Sequence, residues 1–239
     1  MAELFRLRIC FAKVGRLRWL SHLELTRALE RLIRRSGLPY ATSQGFNPHM
    51  RLASGPALPV GTAGVRELLD VWLTRYVAPS QALAMLIAAA GALIPIWAAE
   101  YVPTTVPGLQ ATHTWHDYQL ILDWSQSSLA ELRQSLADWL YRDLLISVDH
   151  KGSPKQFTLA EVLGGQLQLL PAPEWGADSY QLRCTLRSTA RGSLRPEQLV
   201  AAWLGPNSQK MLQFIQREAM HPEPENQTQD SEVEFKILL

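Results

Sequence analysis

The fold of the N-terminal half is decided by residues 5–37, which read FRLRICFAKVGRLRWLSHLELTRALERLIRRSG. In the first part of this stretch apolar and polar residues alternate, which is the period of a β-strand with one buried face. The sequence Ser21-x-x-Glu24 then matches a capping box, the signature of a helix N-terminus. Apolar residues recur at helical spacing from there to Gly37, a typical helix end. The stretch predicts a strand followed by an amphipathic helix.

The residues that follow this stretch predict the rest of a first α+β unit. The segment 39–64 is rich in Gly, Pro and Ser and predicts two short irregular strands. Three further elements are expected: a strand over 66–76, a helix over 79–91 and a strand over 93–102. Residues 103–112, PTTVPGLQAT, carry no charge and combine two prolines with a glycine, which predicts a linker.

The same order of elements recurs after the linker. A strand is expected at 118–124, and a second capping box, Ser128-x-x-Glu131, predicts the helix that follows. The remaining elements are expected as strands near 144–150, 165–171 and 179–188, a helix over 196–205 and a strand near 210–219. Each half thus reads strand–helix–strand–strand–helix–strand, the split βαβ order. We predict an α+β protein of two tandem ferredoxin-like (split βαβ) units with antiparallel sheets.

The predicted domain bounds follow from this order. They are a ferredoxin-like domain over 1–102, the linker 103–112, a second ferredoxin-like domain over 113–219 and an acidic tail over 220–239. The first part of the tail, HPEPENQTQDSE, has the composition of a disordered segment. Its end, VEFKILL, could pair with the edge of a sheet.

The charge of the chain is distributed unevenly. The net charge is +1, but residues 1–51 hold ten Lys/Arg against three Asp/Glu, a net of +7. Residues 52–239 hold thirteen against nineteen, a net of −6. Such asymmetry favours an anionic partner for the N-terminal part. The alternative interpretation is a basic helix that is merely solvated.

Composition and spacing exclude several classes of protein. Two cysteines cannot ligate an iron–sulfur cluster alone, and no secretory signal or apolar run long enough to span a membrane is present, so we expect a cytoplasmic protein. His113 and His116 would point to opposite faces of a strand and would not share a metal. No motif of nucleophilic or acid–base catalysis is readable. We therefore predict no metal and no cofactor, assign no catalytic residue and favour a non-catalytic role.

A first group of candidate binding residues surrounds Gly15. Lys13, Arg16 and Arg18 lead into His22 at the start of the predicted helix. A glycine between a strand and a helix N-terminus can bring backbone N–H groups and cations to an anion. The alternative is an ordinary turn with solvated charges.

A second group lies on the predicted helix itself. Arg27, Arg31, Arg34 and Arg35 follow the spacing i, i+4, i+7 and i+8, which places them on one helix face. Guanidinium groups bind phosphate in bidentate geometry. A solvated face, partly neutralised by Glu24 and Glu30, is the alternative.

A third group is the loop SQGFNPH over 43–49, followed by Arg51. Its candidate binding residues are Ser43, Gln44, Phe46, Asn47, His49 and Arg51. Phe46 could stack on a ligand and the polar side chains could form hydrogen bonds, as in many binding loops. We expect this loop to line a cleft with Lys13, Arg18 and His22. The alternative is a structural loop with a buried Phe46.

These motifs together resemble a known family. The resemblance is carried by residues 11–31, by Leu38-Pro39, by SQGFNPH over 43–49 and by LPVG over 58–61. Over about residues 4–102 the sequence is similar to the radical S-adenosylmethionine-linked protein family of bacteria. Members are fused to, or encoded beside, radical S-adenosylmethionine enzymes with a cobalamin-binding type domain, and sometimes lie near an RNase E/G-type ribonuclease. The resemblance implies such an enzyme as a partner, whereas this chain lacks the CxxxCxxC motif of the enzyme itself.

The sequence therefore predicts an accessory RNA-associated protein that works with a radical S-adenosylmethionine enzyme, with tRNA or rRNA modification as the implied context. Arg6 and Arg8 should lie on the sheet face that ferredoxin-like RNA binders leave open. Two alternatives remain. One is an enzyme acting on a nucleotide or phosphorylated substrate, with a pocket built from His22, Gln44, Asn47, His49 and Arg51. The other is a protein-interaction module without nucleic acid.

Overall fold

The computed structural model describes residues 3–126, 128–142, 145–150, 153–205, 208, 210–223 and 236–238. The chain divides into two compact units, Met1–His113 and Thr114–Leu239. Each unit is a mixed α+β structure in which helices accompany a mostly antiparallel sheet.

The first unit contains four strands and three helices. Their bounds are β1 Phe5–Lys13, α1 His22–Ser36, β2 Leu52–Ser54, β3 Ala63–Leu73, α2 Pro79–Ala90, β4 Ile96–Tyr101 and α3 Leu109–Thr112. A 3₁₀ turn over Gly15–Trp19 joins β1 to α1. The strands lie in the order β2-β3-β1-β4, and every neighbouring pair is antiparallel. The strand and the helix predicted from residues 5–37 are confirmed.

The alternation of β1 explains the core of this unit. Leu7, Ile9 and Phe11 are buried on the side of the sheet that faces the helices. They pack with the apolar residues of α1, which are Leu25, Leu29, Leu32 and Ile33. The helix ends where predicted, because Gly37 adopts φ 73°, a left-handed conformation in which glycine pays no steric cost.

The segment predicted as a linker packs on the first unit. The Arg6 guanidinium donates to the carbonyl oxygens of Val106 and Pro107 at 2.6 and 3.2 Å. Leu109, at the start of α3, is 1% exposed. Residues 106–112 are therefore part of the folded N-terminal unit, and its boundary falls at His113.

The second unit repeats the strand–helix alternation with additional elements. Their bounds are β5 Trp115–Asp123, α4 Leu129–Leu140, β6 Leu145–His150, β7 Ser153–Thr158, α5 Leu159–Val162, β8 Leu163–Pro171, β9 Ser179–Thr189, β10 Gly192–Ser193, α6 Pro196–Leu204, β11 Leu212–His221 and β12 Lys236–Leu238. The main strands lie in the order β12-β8-β9-β5-β11. All these pairs are antiparallel except β12 with β8, which is parallel.

The sequence predicts neither the two-residue strand β10 nor strand β7 of the second unit. β7 turns back on β6 to form a separate two-stranded sheet in which Ile146 lies opposite Phe157. Both of these side chains are buried. The sequence SPKQFT has only one large apolar residue, so it shows no period of two and gives no strand signal.

The tail agrees with the sequence in part. The end of the tail pairs with the edge of a sheet, one of the possibilities that the sequence left open, since Lys236–Leu238 runs beside Gln166–Gln168 of β8. His221 still belongs to β11, so the ordered unit extends past 219. The disorder predicted for the tail falls mainly on 224–235, which lie outside the described residues. Among the described residues no helix is long and apolar enough to span a membrane.

Candidate nucleic-acid interface

Helix α1 presents arginines on the face opposite the core. Its capping box forms as predicted: the Ser21 N–H donates to the Glu24 carboxylate at 2.9 Å, and the Glu24 N–H donates to Ser21 Oγ at 3.4 Å. Because the buried residues follow the helical period, the opposite face is left to solvent. Arg27, Arg31 and Arg34 are exposed on that face, and we call these three residues the arginine stripe.

The arginine stripe keeps its charge available to a ligand. Within the described part of the chain none of its members forms an ion pair. Hydrogen bonds with Ser21 lower the pKa of the neighbouring Glu24 carboxyl, and the positive charge of Arg27 lowers it further. Arg35 differs, because its guanidinium donates to the Ala89 carbonyl of α2 at 3.2 Å.

The basic residues around Gly15 are not brought together. Arg16 is exposed, whereas the Arg18 guanidinium lies 4.8 Å from the centre of the Trp19 ring. Lys13 is 1% exposed, and its ammonium donates to the Pro59 carbonyl at 3.2 Å. The structure therefore places Lys13 in the interior, away from the surface cations with which the sequence grouped it.

Lys13 and His22 instead line the same small pocket. Glu67, which is 6% exposed, lines the same pocket together with Thr26 and Ser54. The remaining walls are largely apolar, with Phe11, Leu25, Leu29 and Leu58 among them. The free space is about 20 Å³, which is enough for about one water molecule.

The SQGFNPH loop is closed by its own ends. The Ser43 N–H donates to the His49 carbonyl at 2.8 Å, and the His49 N–H donates to Ser43 Oγ at 3.0 Å. Ala41 and Met50, on either side of the loop, are buried. The loop is thus anchored at its base by two hydrogen bonds and by the two buried residues that flank it.

The tip of the loop is exposed. Gln44, Asn47 and His49 face solvent. Phe46 is 103% exposed, so the alternative of a structural loop anchored by a buried Phe46 is wrong. The ring is therefore accessible to a ligand that could stack on it.

Arg51 connects the base of the loop to the sheet. Its guanidinium lies 4.9 Å from the centre of the Trp72 ring, and the Arg6 guanidinium lies 5.5 Å from the same ring. The Trp72 N–H also donates to the Arg51 carbonyl at 3.1 Å. Arg51 is therefore held in place by the aromatic ring, although its side chain remains exposed.

The loop and the pocket are separate places. None of the residues 43–51 lines the pocket that contains Lys13 and His22. Lys13 lies opposite Gly64 of β3, whereas Arg51 bonds to Trp72. Eight positions along a strand correspond to roughly 26 Å. The shared cleft expected from the sequence, and the single pocket of the enzyme alternative, are not assembled.

The arginines of β1 are unavailable to a ligand. They lie on the sheet face away from α1, as predicted, but Asp70 accepts hydrogen bonds from Arg6 at 2.5 and 2.8 Å and from Arg8 at 2.8 and 3.1 Å. Arg6 is 3% exposed and Asp70 is 0% exposed. Residues 106–107 cover this network. The expectation of an open basic sheet face is wrong.

The titratable groups that suggest metal or thiol chemistry are in structural roles. His113 Nδ1 lies 2.8 Å from Thr112 Oγ1, and His116 Nε2 lies 3.0 Å from Ser188 Oγ. No group of three or more possible metal ligands occurs among the described residues. Burial raises the pKa of the Cys10 thiol and raises that of Cys184 to about 12. Both thiols are thus protonated at neutral pH.

Three further residues shape these sites without belonging to any group predicted from the sequence. They are Trp19, Glu67 and Asp70. Trp19 has a signal, since it is a tryptophan outside the apolar period of the helix, and it is 59% exposed. Glu67 and Asp70 have no such signal in the sequence, because their roles depend on which residues of β1 they face.

Comparison with known families places the chain in one of them. A family model described as "Uncharacterized protein conserved in bacteria (DUF2344)" matches residues 6–196. The chain belongs to this family. The DUF2344 match covers all the binding residues predicted from the sequence. No curated protein matches the chain.

Two solved structures show distant similarity to this DUF2344 chain. A chain of the "Crystal Structure of a Cbf5-Nop10-Gar1 Complex" matches 97% of it at 10% identity with a TM-score of 0.49. This chain spans about half of that one, 52%. The "Crystal Structure of an Unknown Protein from Galdieria sulphuraria" matches 93% of this chain and 100% of its own, at 10% identity and a TM-score of 0.26. Neither similarity is close enough to bear on function.

Proposed function

We propose that this protein is an accessory RNA-binding protein whose N-terminal unit contacts RNA. The observation that carries the proposal is the arginine stripe: three exposed guanidinium groups on one face of α1, with no ion pair among the described residues. Guanidinium groups bind phosphate in bidentate geometry, and a row of them follows a phosphate backbone.

The SQGFNPH loop supports the same function. Phe46 offers a fully exposed ring, and base–aromatic stacking tolerates any sequence because every base has a π-face. The loop also carries amide and imidazole groups that can reach base edges. A stacked base must be unpaired, so the proposal is for single-stranded or looped RNA rather than for a duplex.

We also infer that both units are ferredoxin-like. The order β2-β3-β1-β4 of the first unit is matched in the second by β8-β9-β5-β11, which supports a common topology. The extra hairpin of β6 and β7 would then be an insertion of the second unit. Because the first sheet face is closed by residues 106–107, RNA would bind the helix side, unlike in sheet-face binders.

The partner remains the one implied by the motifs. The resemblance over about residues 4–102 supports a radical S-adenosylmethionine enzyme as the protein that acts on the bound RNA, in tRNA or rRNA modification. Co-purification of this protein with a tagged radical S-adenosylmethionine enzyme from the same cells would test it. Loss of the complex after ribonuclease treatment would indicate that RNA bridges the two proteins, and its persistence would indicate direct contact.

The central experiment measures RNA affinity as a function of salt. We expect the purified full chain to bind a labelled oligoadenylate at low salt, with affinity falling linearly on logarithmic axes as salt rises. Replacing the stripe by Arg27→Gln, Arg31→Gln and Arg34→Gln together should lower that slope by roughly one unit per lost contact. Glutamine is close to arginine in helix propensity, so the fold should survive.

A matched control separates the stripe from general charge. Arg66, Arg75 and Arg142 are exposed as well, and their combined replacement by glutamine removes the same charge elsewhere. The slope should then stay at the wild-type value. An equal effect of both triple variants, or no RNA binding by the wild-type chain at low salt, would refute the proposal.

A further inference from the structure

Helix α2 and most of the strand that follows it carry no charge. Residues 77–99 contain no Asp, Glu, Lys or Arg, whereas 19% of the whole chain is charged. The helix buries Ala82, Leu86 and Ala90, and the residues that it exposes are uncharged as well. A helix that is largely apolar on all sides is usually covered on all sides. One face of α2 therefore lacks the cover that its composition calls for.

The exposed apolar residues of this stretch form a surface that we call the neutral face. Ile87 is 48% exposed, Leu93 is 73% exposed and Trp97 is 57% exposed. The Trp97 indole N–H donates to the Val65 carbonyl at 2.9 Å, so the ring is held in place while it stays accessible. Uncharged patches that include an aromatic anchor are typical of protein interfaces. The neutral face consists of Ala84, Ile87, Ala88, Leu93, Trp97 and Ala98.

The neutral face lies at the edge of the sheet of the first unit. Helix α2 packs on β4 and, on another side, against α1. Towards α1, the Ala89 carbonyl accepts from the Arg35 guanidinium at 3.2 Å, and Met85 Cε lies 3.8 Å from the place of a Cβ at Gly37. Ile87 is two positions from both Met85 and Ala89, which is about 200° around a helix. Ile87 therefore lies on the side of α2 that is turned away from α1.

Strand β4 has an edge that is open to pairing. It is the last strand in the order β2-β3-β1-β4, and within the described part of the chain it pairs with β1 alone. The Val102 N–H donates to the Arg6 carbonyl of β1 at 2.9 Å. Because the backbone groups of successive residues point to alternate sides of a strand, those of Ala99 and Tyr101 point away from β1. Such groups are a template for pairing with another strand.

We propose that the neutral face binds a second copy of this chain. In this dimer β4 pairs antiparallel with β4 of the partner, and α2 packs against α2 of the partner. Antiparallel pairing of a strand with its own copy creates a two-fold axis, which places both copies of α2 side by side on the same sheet face. A lone peptide strand would cover β4 but would leave Ile87 exposed. A second copy covers the helix and the strand together.

The charge of the surface also fits a second copy. In a two-fold interface each surface meets itself, so a charged face would be opposed by like charge, whereas an uncharged face is not. Glu100 is the one charged residue of β4. With the axis at Ala98, two alanines face each other, and the two Glu100 positions are four residues apart along the strands, roughly 13 Å. No member of the arginine stripe belongs to the neutral face, so the dimer is independent of the RNA-binding proposal.

Sedimentation analysis of the purified full chain over a range of concentrations tests the proposal. We expect the wild-type chain to sediment as a dimer at micromolar concentration. Ile87→Glu should raise the dissociation constant of the dimer about 100-fold, because dimerisation would then bury a carboxylate of each copy without a counter-charge. Leu23→Glu is the matched control. It adds the same charge to a leucine of α1 that is 58% exposed, and it should leave the dissociation constant unchanged.

A second variant covers the case in which Ile87→Glu fails to fold, and it tests the strand pairing separately. Ala98 is exposed on β4, so Ala98→Lys should leave the fold intact. In the dimer it would set two like charges opposite each other at the shared edge, and we expect the variant to sediment as a monomer. Circular dichroism and thermal melting would establish that each variant is folded.

Three results would overturn the proposal. The first is a wild-type chain that stays monomeric at every concentration, which would leave the neutral face to a different protein. The second is a dimer that persists in either folded variant, because the contact would then lie elsewhere or would not involve β4. The third is a dimer that Leu23→Glu weakens as much as Ile87→Glu does, since the effect would then come from added charge in general.

Discussion

The arginines of β1 and those of α1 belong to the same unit, but their surroundings give them opposite roles. Arg6 and Arg8 share the buried carboxylate of Asp70 and hold residues 106–107 in place. Arg27, Arg31 and Arg34 stand exposed on a helix. A net charge of +7 over residues 1–51 therefore overstates the charge available to a ligand, because Asp70, which lies outside that range, neutralises part of it in the fold.

The largest expected effect comes from removing the shared acid. Asp70→Asn leaves the buried Arg6 and the partly buried Arg8 without their counter-charge, and we expect the free energy of unfolding to fall by about 3–5 kcal/mol. Chemical denaturation would measure it. Asp138→Asn, at an exposed position of α4, is the matched control and should change stability little. A mild effect of Asp70→Asn would break the contrast between the two sets of arginines.

Two single substitutions, one in each set of arginines, test the same contrast. Arg8→Gln removes two hydrogen bonds to Asp70, at 2.8 and 3.1 Å, and should cost about 1.5–3 kcal/mol of stability. Arg27→Gln on the exposed helix face should stay within about 0.5 kcal/mol. Thermal and denaturant melts of both variants would check this. Equal destabilisation would mean that the stripe also has a structural role.

The exposed ring of Phe46 extends the comparison from charge to stacking. Phe46→Ala should weaken binding of oligoadenylate by about 1–3 kcal/mol while the salt slope stays unchanged, because stacking releases no counterions. Stability should hardly move, since the ring is 103% exposed. Tyr141, at 90% exposed, lies in the second unit, and Tyr141→Ala should leave RNA binding unchanged. A changed salt slope for Phe46→Ala would point to rearrangement of the loop.

The smallest effect concerns the capping box that begins the helix of the stripe. Hydrogen bonds with Ser21 lower the pKa of Glu24 in the folded protein, so its contribution to stability is present above the unfolded pKa. That contribution is lost as the pH falls through the folded value. Glu24→Gln should therefore reduce the dependence of stability on pH in the acid range. Melting curves at several acid pH values would detect it, and an unchanged pH profile would contradict it.

Much of the local structure could be predicted because its signals are local. Both capping boxes, at Ser21 and Ser128, form as the sequence indicated. The alternation of β1 and the end of α1 at Gly37 were equally readable. β7 was not, because a two-stranded hairpin with one large buried residue on that strand leaves no periodic signal.

The sequence could predict only those candidate site residues whose exposure depends on a single helix or loop. The spacing of Arg27, Arg31 and Arg34 fixes their common face in any α-helix, and their exposure follows from the buried face opposite. The loop around Phe46 was recognised by its composition. Its separation from Lys13 and His22 depends on how far along β3 each segment is attached, which no spacing in the sequence specifies.

Strand β1, helices α1 and α4 and the arginine face of α1 could be predicted from the sequence, since they follow from capping boxes and from periods of two and 3.6 residues along one segment. Which cations stay exposed depends instead on the tertiary structure. The register of β1 on β3 sets Arg8 opposite Asp70 and Lys13 opposite Gly64. Because strand pairing joins residues far apart in sequence, it neutralised Arg6 and Arg8, buried Lys13 beside Glu67, and left the charge of α1 to solvent.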